Sequence, residues 1–193
     1  MSDFKGKVVL VTGAGKGGGR TVAEAFAAEG ASVAVNDVSP VNLDETVAQI
    51  LAAGGTVKAY VEDIAKKMPV QTLLNQVLDD FGRIDILVNC AEVEPTLSLL
   101  EMDDWDWQRT LDVNLTGVFL LIQSVGRIMK EKGGGMIVHM DEHARGSDRR
   151  AAYFASKAGA AALVKTAAAE FAVFGVRVQL VQRTDEVLEV CRR

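Results

Sequence analysis

Tyr153 and Lys157 stand four residues apart in Ala151–Phe174, an alanine-rich run that reads as a helix, so their side chains share one face. An ammonium close to a phenol favours the phenolate and lowers its pKa. Such a tyrosine could give or take a proton near neutral pH. Taken alone, a Tyr-x-x-x-Lys pair is also what an ordinary helix surface carries. A second set lies near the N-terminus, where the apolar run Val8–Thr12 leads into Gly13-Ala14-Gly15-Lys16-Gly17-Gly18-Gly19. A buried strand, a glycine turn and a helix in that order can cradle a pyrophosphate. Gly13, Gly15, Gly17 and Gly19 put no Cβ in the way. The unpaired amides and the dipole of the helix that follows attract the anion. Asp37 ends the next strand-like run, about 20 residues past the glycines, where a carboxylate would hold ribose hydroxyls and repel a 2′-phosphate. That favours NAD(H) over NADP(H), although Lys16 in the turn works the other way. A third group, His139, Asp141, Glu142 and His143, crowds one strand end with residue types that bind metals. No other element supplies matching ligands, so no metal is expected.

These groups need positioning elements. Strands are expected at Val8–Thr12, Ser32–Asp37, Thr56–Val61, Ile84–Asn89, Met136–Met140 and Val176–Val181. Between them the pattern predicts helices over Thr21–Glu29, Asn42–Ala53, Met68–Phe81, Asp104 to about Lys132, and Ala151–Phe174. This alternation predicts a three-layer α/β fold, a doubly wound parallel sheet of Rossmann-like type, formed by residues 1–193 as one dinucleotide-binding domain. Ligands of such sheets bind at the carboxyl ends of the strands. A net charge of −5 and a pI near 5.1 argue against nucleic acid as a partner. Cys90 and Cys191 have no metal-ligand spacing, which fits a reducing, cytoplasmic setting. The start, Met1-Ser2-Asp3-Phe4-Lys5-Gly6-Lys7, is too polar for a signal peptide, and no apolar run reaches the ~20 residues of a membrane span.

Thr12-Gly13-x-x-x-Gly17-x-Gly19, Asp37, Asp63-Ile64, Asn89-x-Ala91, Asn114 and Tyr153-x-x-x-Lys157 occur in one order. From Lys7 to about Val181 this pattern resembles the classical short-chain dehydrogenase/reductase (SDR) family. The resemblance implies hydride transfer between a nicotinamide and a small alcohol or carbonyl substrate. It makes Tyr153 the acid/base and Lys157 the group that binds the nicotinamide ribose and lowers the tyrosine pKa. It makes Asn114 the holder of a proton-relay water. It places Thr12, the glycines, Ile64 and Ala91 along the cofactor, Asp63 on the adenine, and Asn89 as a brace of the sheet near the cofactor. It also implies a homodimer or homotetramer joined through the two long helices.

The chain departs from the family pattern in one region. Glu92 stands where the family has a glycine, and adds bulk and negative charge beside the expected path of the cofactor. Glu142 falls at the place of the substrate-binding serine, and neither way of aligning the loop puts a hydroxyl there. Val181-Gln182-Arg183-Thr184 lacks the family's Pro-Gly. The usual last strand and substrate lid have no counterpart before Arg193, so the sixth strand is expected to be an exposed edge, covered by the tail Asp185–Val190 or by a second chain. Two functions follow: an NAD-dependent oxidoreductase, or an impaired SDR-like scaffold that binds an adenine nucleotide or a partner protein without turnover.

Overall fold

The computed structural model describes residues 3–141 and 149–192. Six strands, β1 (Val8–Thr12), β2 (Ser32–Asp37), β3 (Thr56–Val61), β4 (Ile86–Asn89), β5 (Gly135–Met140) and β6 (Val176–Val181), form one sheet in the order β3-β2-β1-β4-β5-β6. All pairs are parallel. The order reverses between β1 and β4, which is where a doubly wound sheet opens its ligand crevice. β1 and β4 are buried on both faces, hence their unbroken apolar runs.

One face packs on α3 (Lys67–Phe81), α5 (Val118–Lys132) and α6 (Ala151–Phe171) through Leu73, Leu121, Ile122, Val125 and Val164. The other packs on α1 (Gly17–Ala28) and α2 (Pro40–Ala52) through Val22, Phe26, Leu43 and Ile50. The spacings of three and four among these positions are the apolar stripes that make each helix amphipathic. α6 buries Tyr153, Ser156, Lys157, Ala160, Val164 and Ala167 along one such stripe, so its two chemical residues face inward.

Several boundaries differ from the sequence expectation for local reasons. α1 starts at Gly17 rather than Thr21, because the glycines themselves make its first turn. α2 starts at Pro40, where Ser39 Oγ accepts from the Asn42 amide and the proline ring presets the first helical residue. β4 starts at Ile86, two residues after Ile84. The expected long helix is α4 (Asp104–Leu111), a π turn (Asp112–Gly117) and α5 in succession. It is long and apolar enough to cross a membrane, but Val118, Leu121, Ile122, Val125 and Met129 are buried against the sheet. Among the described residues the tail adds no strand beyond β6. Glu186–Arg192 forms α7, whose Val187 is fully buried on the α1 face. Arg192 ties it down by ion pairs to Asp3 at 2.7 Å and Glu29 at 3.2 Å.

Candidate functional site

A cleft of about 480 Å³ runs along the carboxyl ends of β1, β2 and β4. Gly13, Gly17, Gly18, Gly19, Asp37, Asp63, Ile64, Ala91, Glu92 and Met140 are among its walls. Gly17 has φ +56° and open space where a Cβ would point, so it can let a ligand approach the backbone. Gly13 is a glycine for another reason: its φ is +64°, and a Cβ would stand 2.6 Å from the Ala91 backbone. Ala91 is thus locked against the glycine turn. Gly15 lets Asp37 come close, since a Cβ there would meet Asp37 Oδ2 at 2.7 Å. The Gly15 amide donates to that oxygen at 3.0 Å and the Ser39 amide donates to Oδ1 at 3.0 Å. Each carboxylate oxygen keeps a second acceptor site, so Asp37 can still take two hydroxyl donors.

On the far wall Asp63 is held by the Ala65 amide at 3.1 Å and by Arg109 at 3.2 Å. Ile64 packs on the last residue of the π turn, where a Cβ on Gly117 would meet it at 3.0 Å. Thr12, Asn89 and His139 lie side by side on β1, β4 and β5. All three side chains are buried, and Thr12 Oγ1, both amide atoms of Asn89 and both ring nitrogens of His139 have no protein partner. Burial, then the nearby Lys157 charge, pushes the His139 pKa down to about 4.

Asn114 sits in the π turn, a helix irregularity common at functional sites. Its Oδ1 accepts from the Val93 amide at 2.9 Å, and its Nδ2 donates to Val93 O at 2.9 Å and Ser156 Oγ at 3.1 Å. Its side chain is therefore a clamp that joins the loop after β4 to α6.

Tyr153 and Lys157 are brought together as expected, with the ammonium 5.6 Å from the ring centre. Glu92 comes between them and the cleft. Its Oε2 accepts from Lys157 Nζ at 2.9 Å and from Tyr153 Oη at 3.3 Å. Lys157 also donates to Met140 O at 3.1 Å and pairs with Asp141 at 3.3 Å. The expected lowering of the Tyr153 pKa is not what this arrangement produces. Burial first, then the Glu92 and Glu94 carboxylates, push the phenol up, since both disfavour the phenolate. Glu142 and His143 lie outside the described residues.

The two ends of the cleft suit a dinucleotide differently. The glycine turn, the first-turn amides of α1 and Asp37 fit an adenosine diphosphate portion as they stand. At the other end Lys157 has given its donors to Glu92, Asp141 and Met140, so a ribose there must first displace Glu92. The sequence singled out most of these residues but not Arg109 or Ser156. Their roles depend on contacts across the fold, which leave no spacing signal in the chain.

The sequence profile of the short chain dehydrogenase family matches residues 7–184. D-threitol dehydrogenase of Mycolicibacterium smegmatis is 40% identical over 192 residues, which cover 97% of this chain and 74% of that protein. The 3-oxoacyl-[acyl-carrier-protein] reductase of Synechocystis is 40% identical over 184 residues, or 94% of this chain and 74% of that protein. A crystal structure of a metagenomic short-chain oxidoreductase in complex with NADP superimposes with a TM-score of 0.94 at 29% identity, covering 99% of this chain and 93% of that one. NAD+-bound xylitol dehydrogenase superimposes with a TM-score of 0.88 at 34% identity, covering 93% and 70%. The chain belongs to the short-chain dehydrogenase/reductase family, whose members are oxidoreductases that use nicotinamide cofactors.

Proposed function

We propose that the chain is an NAD(H)-dependent oxidoreductase that interconverts a small secondary alcohol and its carbonyl. The observation that carries this reading is that Tyr153 and Lys157 both bond Glu92, which lines the same strand-end cleft as Asp37. Bound NAD supplies the hydride acceptor. Asp37 selects against a 2′-phosphate by charge and holds the adenosine ribose hydroxyls. Gly17–Gly19 face the pyrophosphate, and Asp63 and Ile64 flank the adenine. Tyr153 Oη moves the proton of the reacting oxygen. Lys157 holds the nicotinamide ribose once Glu92 has released it. Asn114 keeps the loop and α6 in register for both.

The polyol-dehydrogenase relatives make hydroxyl-rich alcohols the first class to try. A panel of polyols and the matching ketones, followed by reduced-nicotinamide absorbance, tests the proposal. Turnover should appear with NAD(H), and Tyr153→Phe should lower it by a factor of about 10²–10⁴, as loss of a general acid/base does. Turnover unchanged by that substitution would remove Tyr153 from the chemistry. We also propose self-association. Phe119 on α5 and Phe174 just after α6 are about 40% exposed, and Trp105 on α4 is 70% exposed, so burial against a second copy would take apolar surface from water. Sizing at micromolar concentration should show a dimer or tetramer, and a monomer would count against it.

A further inference from the structure

Lys157 is the cation beside Tyr153, and among the described residues its immediate partners are more anionic than it can balance. Glu92 Oε2 at 2.9 Å and Asp141 Oδ1 at 3.3 Å are two carboxylates on one ammonium. Glu94 is also nearby, but Arg150 pairs with it at 3.0 Å and offsets it. Among the described residues the immediate partners of Lys157 thus leave an excess of one negative charge. The Lys157 side chain is 7% exposed, Asp141 10% and Glu92 34%, so bulk water screens this charge only in part.

Glu92 cannot carry its charge far away. The residue before it, Ala91, is packed on the Gly13 backbone, and the residue after it, Val93, is bonded at both N–H and C=O by Asn114. Turning the side chain off Lys157 leaves the carboxylate on an anchored backbone beside the same site.

The oxidised nicotinamide ring is a cation and the reduced ring is neutral. We propose that Glu92, seconded by Asp141, is a specificity-determining residue that favours the oxidised cofactor over the reduced one. The inference rests on the reading that Tyr153 and Lys157 mark the nicotinamide end. A unit charge several ångströms away in a partly screened site changes a cation's affinity by about tenfold or more. The neutral ring gains no such attraction, so the effect falls on the ratio of the two affinities. By linkage the same factor favours the oxidised form in the bound redox equilibrium.

The test is calorimetric titration of the full chain with NAD+, NADH and ADP, in the unchanged protein and in Glu92→Gln. The Kd ratio of NAD+ to NADH should move about tenfold toward NADH in Glu92→Gln, with ADP affinity unaltered. Asp141→Asn should move the ratio in the same direction and serves if the first variant fails to fold. A ratio unchanged in the folded variants, with both cofactors bound more tightly than ADP, would overturn the inference and leave the oxidoreductase reading standing. Binding of NAD+ and NADH no tighter than ADP by the unchanged protein and by Glu92→Gln would overturn that reading, and the inference with it.

Discussion

Tyr153 shows why a residue pair does not define its own chemistry. Four residues' spacing brings Lys157 to it, yet burial and then Glu92 push the phenol's pKa up rather than down. Burial first, and then the charge of the same lysine, holds the His139 pKa down in a buried row where the ring has no protein partner. That histidine gives a stability prediction. Its pKa in the folded chain is about 4, below the 6.5 of a free imidazole. Between these values the unfolded chain binds a proton that the folded chain does not, so the contribution is whole above pH 6.5 and is lost as pH falls toward 4. The full loss is about 3 kcal/mol by the usual conversion. Denaturant unfolding of the protein and of His139→Asn across that range should show the steeper decline in the unchanged protein. Parallel curves would mean that His139 is not held neutral by the fold.

At the scale of elements, the π turn Asp112–Gly117 is the joint that matters. It aims Asn114 at Val93 and Ser156, and so couples the loop after β4 to the helix that carries Tyr153 and Lys157. Asn114→Ala removes three hydrogen bonds at a buried position. Net losses of 0.5–1.5 kcal/mol per bond predict about 2–4 kcal/mol of destabilisation. Turnover should fall together with stability, because Glu92 and Val93 then move freely at the site. Asn114→Ala with unfolding free energy within 0.5 kcal/mol of the unchanged protein, a span typical of neutral surface changes, would show that the clamp is not rigid.

The elements were mostly legible in the chain, since the apolar run at β1, the stripe of α3 and the strand β2 ending at Asp37 obey local periodicity. What was not legible came from distance. The break in the long helix coincides with Asn114 reaching across to Val93. The α7 helix was missed because its seven residues carry a short, weak pattern, and its position rests on Val187 and on Arg192 meeting Asp3 and Glu29. Glu92 was visible as an added charge, but that it would join Tyr153 to Lys157 required the side-chain geometry.

For the whole molecule, one sheet presents a cleft lined by the glycine turn, Asp37 and Glu92, with the Tyr153–Lys157 pair bonded behind Glu92. The central claim is that an NAD-type dinucleotide spans from Asp37 to that pair. The measurement that tests it most directly is calorimetric titration of the unchanged protein with ADP, NADH and NADPH. NADH should bind more tightly than ADP, because its nicotinamide half gains contacts at Lys157, and at least about tenfold more tightly than NADPH, because Asp37 repels the 2′-phosphate at short range. Equal binding of ADP and NADH, or a preference for NADPH, would contradict the account.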